Sequence, residues 1–483
     1  MAEHTSRAAT GSRARGSSGR GPGSAWYARL SESVESRLWP LPLAVIAVAV
    51  ALGILLPRVD LLVDASLPDA VDSAVFNGGA DTARSVLSSI AGSLITATSL
   101  TFSLTVIALQ LASTQASPRV LRLFARDRQV HWTLAAFLGT FAYAITVLRS
   151  VRSPSEDTPE FVPRISVTVA FVLTIVSVVM LIFFLAHLAK QLRVETMLKD
   201  IHAETDRAVR LVGDRSEAVS AFHGQAVVPR GPTTVRATAS GFITGGDLPT
   251  LVQLAEDHGI VVEELRQVGD NIVAGTDLAR WWVPDEEAGS ADEPVIAEKI
   301  RRIYAIRFER TSVEDIRYGM QQIVDIALRA LSPGVNDPTT AVHAVGHLSA
   351  ILIKAVAMPR PPEAVAGPTG LLRVVTHRTA AADDLEAALE PIRHYGSGDQ
   401  SVVARFIQLI EEVSSSTRNR DVLRSLIGQL DALAQQLEGD RVDPATSEKT
   451  LRAALAARQH LALALEEDEG AASPAPLRRS RPR

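Results

Sequence analysis

Eight hydroxyl and amide side chains in one uncharged segment offer the first chemistry. Ser85, Ser89, Ser93, Thr96, Ser99, Ser103, Gln110 and Thr114 recur at steps of three and four residues, apart from one doubled interval. On a helix that spacing draws a single polar stripe. Hydroxyls along such a stripe can replace part of a solute's hydration shell, so Ser89, Ser93, Thr96, Ser99, Ser103 and Gln110 are candidates for a polar path. The stripe has a second reading as a packing surface. Small residues four apart, such as Ser89/Ser93 and Ser99/Ser103, let helices approach closely, and hydroxyls can bond back to helix carbonyls. Pumps and coupled transporters use intramembrane acids and bases. The segment from Val86 to Ser113 has none, so a path here would be passive.

A second candidate is the run from Arg329 to Ala341, which contains Ser332, Pro333, Gly334, Asn336, Asp337, Pro338 and Thr339. Pro333 disfavours helix at Ser332, Gly334 permits positive φ, and Asp337-Pro338 reads as an N-cap followed by the first helical residue. This predicts a tight corner between two helices. The new helix start, with Asn336, Thr339 and Arg329 around it, could hold an anion. Alternatively, the corner serves only to fix the two helices. Upstream, Ser312 and Asp315 have capping-box spacing, and Asp325 and Arg329 can pair four residues apart. His343 and His347 share that spacing, but no HExxH motif or third ligand accompanies them, and no metal is expected. Val268 to Leu278 resembles the hairpin of lipoyl- and biotinyl-type modules, without a lysine to carry a cofactor. No cofactor is expected.

The elements that must carry these residues follow from the charge distribution. Four intervals, 41–56, 86–113, 130–148 and 165–188, contain no Asp, Glu, Lys or Arg. Soluble core helices rarely avoid charge over such lengths, so all four read as membrane spans within a domain over 39–189. Pro57 closes the first. The loop between the second and third spans carries Arg119, Arg122, Arg126 and Arg128 with only Asp127 opposing. Its arginines suit anionic lipid headgroups, or contact with the cytoplasmic domain. The loop after the first span is acidic, with Asp60, Asp64, Asp69, Asp72 and Asp81. The excess of arginine and lysine places both termini in the cytoplasm of a multi-pass cell-membrane (inner-membrane) protein, which an even number of spans satisfies.

Residues 1–38 are basic, poor in large apolar side chains and expected to be disordered. A helical stalk is expected over 190–230, continuing out of the fourth span, and then a small β module over 231–285 with a short helix at 248–256. An α-helical cytoplasmic domain follows over 296–465, broken by the Pro-rich stretch 359–368, and 466–483 reads as a disordered tail. The fold class is thus an α-helical integral membrane protein with a cytoplasmic α+β region.

The 483 residues include no cysteine, which excludes disulfides, thiolate metal sites and thiol nucleophiles. A net charge of −5 gives no reason to expect nucleic acid. No Gly-rich phosphate loop, nucleophile elbow or paired-carboxylate arrangement stands out, so an enzyme is not expected.

Five segments carry a family resemblance: Ser99-Leu-Thr-Phe-Ser-Leu-Thr-Val106, Gln115-Ala-Ser-Pro-Arg119, Arg310-Thr-Ser-Val-Glu-Asp315, Ala330-Leu-Ser-Pro-Gly-Val-Asn-Asp-Pro-Thr-Thr-Ala341 and Ile392-Arg-His-Tyr-Gly396. Through them the chain resembles the bacterial predicted membrane proteins of domain-of-unknown-function family 2254. The resemblance implies the same layout of four spans and a cytoplasmic domain, and supplies no activity. The expected function is a passive conduit in a homo-oligomer, gated by the cytoplasmic domain, because four spans alone seldom enclose a pore. The alternative is a non-conducting sensor or scaffold that presents cytoplasmic helices to a protein partner.

Overall fold

A computed structural model describes residues 40–63, 75–115, 127–154, 160–224, 226, 229, 231–284, 292–439 and 444–472. The expected disordered segment 1–38 lies outside them, as do Arg119, Arg122 and Arg126. The chain divides into two compact units, residues 1–109 with 121–188, and 110–120 with 189–483.

The first unit is built on α1 (Pro40–Val63), α2 (Ala80–Gln115), α3 (Arg128–Leu148) and α4 (Arg164–Gln191). The central helix is α3, whose Phe137, Tyr143, Ala144 and Val147 pack with Leu87 and Leu94 of α2 and Val167 and Ala170 of α4. Its most extensive partner is α1. The approach is close where side chains vanish. A Cβ on Gly53 would lie 2.8 Å from Thr146 Cβ, and one on Gly139 would lie 2.7 Å from Val45 Cγ1. Outer faces are apolar: Phe171, Val172, Ile175, Val178, Val179, Ile182 and Phe183 run exposed along α4. A surface of that kind suits hydrocarbon and not water.

The first helix does not stop at Pro57. It runs on to Val63, so Asp60 belongs to α1 and not to a loop. Asp60, only 2% exposed, accepts from Ile165 N (2.8 Å), Ser166 N (3.1 Å) and Ser166 Oγ (2.6 Å) at the start of α4. That tertiary cap holds the additional turn of α1 in place, since helix starts carry unpaired N–H groups that a buried carboxylate satisfies. In the same way Glu160 accepts from Ala80 N at the start of α2, at 2.7 Å.

The expected continuous stalk is also corrected. Helix α4 ends at Gln191, and a new helix, α5 (Val194–Glu217), starts after extended backbone at Arg193. Rather than standing free, α5 packs on α8 (Ile316–Ala330) and α9 (Pro338–Ala357), burying Met197, Leu198, Ile201, Thr205 and Ala208.

The β module draws in chain from well beyond 231–285. Its six-stranded sheet has the order β1-β8-β9-β4-β6-β2, from β1 (Ser220–Ala221), β2 (Thr233–Arg236), β4 (Val261–Glu264), β6 (Asp277–Trp282), β8 (Ala364–Ala366) and β9 (Leu372–Val375). Only β4 and β9 are parallel. A second sheet orders β5 (Asn271–Ile272), β3 (Gly241–Gly245) and β7 (Ala305–Arg307). The lipoyl-like hairpin is therefore not formed: β5 and β6 lie in different sheets. The stretch read as a Pro-rich break contains β8. Helices α6 (Leu248–Asp257) and α7 (Glu293–Ile303) cover the sheet through Leu251, Ala255, Ile296 and Ile300.

The helical layer holds α8, α9, α10 (Ala381–Gly396), α11 (Gln400–Ser415), α12 (Arg420–Gly439) and α13 (Pro444–Ala472). The last extends through residues 466–472, which the sequence reads as tail. Among the described residues, five helices are long and apolar enough to cross a membrane: α1, α2, α3, α4 and α9. The fifth lies in the second unit, with Ala341, Ala344, Val345, Leu348 and Ile351 buried and α5, α8 and α11 packed around it.

Candidate functional site

The hydroxyl stripe of α2 turns away from its own unit. Ser85, Ser89, Ser93, Thr96, Ser99, Ser103 and Gln110 are all exposed, and a Cβ on Gly92 would meet open space. The close helix contacts occur elsewhere, at Gly53 and Gly139. Thr96 and Thr98 donate to the carbonyls of Gly92 and Leu94, four residues back, and Thr105 does the same to Thr101. Of the basic loop, Arg128 is described and exposed at the start of α3. Its neighbour Asp127 caps that helix and meets His187 of α4 at 2.6 Å.

The corner at Ser332 to Pro338 is tied by its own backbone. Asn336 N donates to Ser332 O (2.9 Å), Asp337 N to Ala330 O (2.8 Å) and Ser332 Oγ to Arg329 O (2.7 Å). Positive φ falls on Asn336 (47°) and not on Gly334, because asparagine tolerates the left-handed region and the turn needs it one residue before the cap. Asp337 accepts from Thr340 N (3.1 Å) and Thr340 Oγ1 (2.6 Å). Those bonds hold its carboxyl below the usual range, so a negative charge already occupies this helix start. Thr339 is exposed there. The segment Ile392 to Gly396 packs against the corner: a Cβ on Gly396 would lie 3.6 Å from Leu331 and 2.6 Å from Val402.

The expected capping box is rearranged. Asp315 is itself the N-cap of α8, accepting from Tyr318 N at 2.9 Å, while Ser312 Oγ donates to Glu204 of α5 at 2.6 Å. Asp325 accepts from Gln321.

His347 faces across to His202 of α5, with Nδ1 atoms 3.2 Å apart. Burial, reinforced by His202 and His343, holds the His347 imidazole below its usual 6.5. A folded state that resists protonation loses stability as pH falls through the unfolded value, so the loss begins near 6.5 and grows below it. Thermal melting of the detergent-solubilised chain between about pH 7 and pH 5.5 should show a steeper acid-side fall in the native protein than in His347→Gln. Equal slopes would remove this histidine as the source.

One cavity, in the second unit, gathers ionic groups that no local pattern announces. It has a volume of about 150 Å³. From α5 comes Arg215, 2.9 Å from Glu314, whose carboxylate also accepts from Gly246 N at 3.1 Å. Residues 314–317 line the cavity. Arg310 pairs with Asp315 at 2.7 Å and lies over the Tyr318 ring. The turn at Gly269 (φ 97°) is pressed onto this pair, so that a Cβ there would lie 2.8 Å from Asp315 Oδ2. Arg360 reaches Asp384 at 3.0 Å and the Thr379 carbonyl at 2.7 Å. Arg317 stands 3.6 Å from Asp384 and 3.9 Å from Asp270. Arg378 pairs with Glu264 at 2.6 Å, and Tyr304 donates to the same carboxylate at 2.8 Å. Burial pushes both the Glu264 carboxyl and the Tyr304 phenol up. It also pushes Asp384 up, against the opposing pull of Arg360. Apolar side chains, among them Val212, Leu248, Met320, Leu352 and Leu385, complete the lining.

Residues 35–412 match the family described as predicted membrane protein, DUF2254. The chain belongs to that family. An uncharacterized protein of Mycobacterium bovis and one of Mycobacterium tuberculosis are each 31% identical over 384 residues, covering 79% of this chain and 73% of the relative. No solved structure matches. In this DUF2254 chain the segment Arg310 to Asp315 lines or borders the cavity, and Ala330 to Ala341 with Ile392 to Gly396 builds the corner. Arg215, Arg317, Arg360, Arg378 and Asp384 went unnoticed in the sequence because they come from four separate segments. Only Arg310 to Asp315 gave a local signal.

Proposed function

We propose that this membrane protein is a homo-oligomeric passive conduit, gated by its second unit and without enzymatic activity. The observation that supports it is the outward hydroxyl face of α2, from Ser85 to Ser103, on a helix otherwise rich in exposed Leu, Ile, Val and Phe. Turned to lipid, serine hydroxyls gain no polar neighbour beyond their own helix. Turned to equivalent faces of other copies, they form a shared polar surface. Four spans with cytoplasmic termini agree with the basic flanks, and the packing of α9 against α5, α8 and α11 favours counting it as a core helix. Because α5 begins at Val194, close after α4 ends at Gln191, a movement of the second unit has a short covalent route to the spans.

Native mass spectrometry of the detergent-solubilised protein should show an oligomer. A strict monomer would eliminate the shared path. In liposomes, flux of small ions or neutral solutes should fall at least tenfold in Ser99→Leu and Ser103→Leu with assembly unchanged. A scaffold that docks a cytoplasmic partner is supported by two exposed aromatic side chains, Phe308 (89% exposed) and Tyr395 (64% exposed). It becomes the better reading if no solute passes and Tyr395→Ala abolishes crosslinking to a partner.

A further inference from the structure

The cavity beside Arg317 has features of a ligand site that a structural ion-pair network does not require. Two guanidiniums share one carboxylate there: Arg360 takes Asp384 at 3.0 Å, leaving Arg317 at 3.6 Å from it and 3.9 Å from Asp270. Each guanidinium carries five donors, so Arg317 retains donors that these long contacts do not saturate. Asp384 Oδ1 is buried and accepts no hydrogen bond among the described residues, and Arg378 Nε likewise lacks an acceptor. Buried polar atoms are normally satisfied, so these two show that the ion-pair network around the cavity is incompletely saturated, although neither atom itself opens onto the cavity. The lining also includes Val212, Leu248, Met320, Leu352, Met358 and Leu385, whose side chains offer apolar contact. The space, about 150 Å³ and partly open to solvent, has room for a benzene-sized group.

We infer that this cavity binds a small amphiphilic organic anion, a carboxylate or phosphate monoester carrying an apolar group about the size of one ring. The anion sits on Arg317 and Arg360, whose planar forks match carboxylate and phosphate oxygens, and the ring lies against Met320 and Leu352. The site stands independently of the conduit reading, although Val212, Arg215 and Ser216 of α5 form part of its wall.

Calorimetric titration of the full chain in detergent tests the inference with phenyl phosphate, benzoate, benzylamine, benzyl alcohol and inorganic phosphate. Phenyl phosphate or benzoate should bind at least tenfold more tightly than the amine, the alcohol or inorganic phosphate. The stronger of the two anions identifies the headgroup. Arg317→Gln should weaken that binding at least tenfold, and Met320→Trp should abolish it by filling the apolar side. Arg424→Gln, on the exposed face of α12, should leave it unchanged. Should either cavity variant fold poorly, the unmodified protein decides: phenyl phosphate or benzoate raises its melting temperature and benzylamine does not. Equal binding of anion and amine, inorganic phosphate as tight as phenyl phosphate, full affinity in a folded Arg317→Gln, or no binding of any probe would overturn the proposal.

Discussion

Asp60→Leu is expected to destabilise the first unit by about 3 kcal/mol or more, because it strips the start of α4 of its acceptor. Three donors converge on this carboxylate: Ile165 N, Ser166 N and Ser166 Oγ. The two N–H groups have no carbonyl four residues earlier in α4 to turn to, and hydrogen bonds to a charged acceptor are worth about 1.5–3 kcal/mol each. Replacing the acceptor with a leucine leaves buried donors where water is scarce, which is the expensive case. Tyr143 adds to the sensitivity, since its hydroxyl donates to the Ser166 carbonyl at 3.1 Å. Asp60→Asn keeps one acceptor oxygen and should fall between the native protein and the leucine variant. Thermal unfolding in detergent, followed by tryptophan fluorescence, measures the order native, Asn, Leu. A leucine variant as stable as the native protein would show that the contact carries no cap.

Gly319→Ala should be similarly damaging in the second unit, by about 2–3 kcal/mol, as overpacking of a filled core predicts. A Cβ at this position of α8 would lie 2.9 Å from Thr205 Cβ and 2.7 Å from its Cγ2, and closer still to the hydroxyl. Rotating the threonine relieves the hydroxyl contact but not the Cβ contact, because Cβ moves only with the backbone of α5. Thr205 is fully buried. The decisive comparison uses Thr205→Gly as a second background. With the threonine side chain gone, Gly319→Ala has space and recovers the ordinary advantage of alanine over glycine in a helix, about 1 kcal/mol. The sign of the substitution therefore reverses between the two backgrounds. A cost that persists in the Thr205→Gly background would place the strain elsewhere.

The helices of the first unit were legible in the residues themselves. Charge-free runs mark the apolar stretches of α1 to α4, because a segment suited to hydrocarbon leaves out charge residue after residue, so the signal is local and repeated. The helices of the second unit were legible for a related reason. Burial along one face imposes a 3.6-residue period, and the spacing of Met197, Ile201 and Ala208 in α5 carries it without reference to any partner. The corner at Ser332 to Pro338 was also readable, since Pro333 and Asp337 act on their immediate neighbours. Even so, its positive φ fell on Asn336, because backbone bonds from Val335 and Asn336 to Ser332 set which residue must turn.

Tertiary structure decided what no short window contains. Pro57 reads as a helix end, yet α1 continues because Asp60 finds its partners more than a hundred residues later in α4. Strands β8 and β9 are too short to announce themselves, and they form because β1 and β4 offer edges to pair with. The cavity is the clearest case. Arg215, Arg317, Arg360 and Asp384 each resemble any surface charge in sequence, and only folding α5, α8 and the segments around α10 together gives them common surroundings. Hydrophobic period and charge exclusion are sums over neighbours along the chain, and so survive in the sequence. Close approach, shared ion pairs and enclosed volume depend on distances between remote residues, which exist only once the chain has folded.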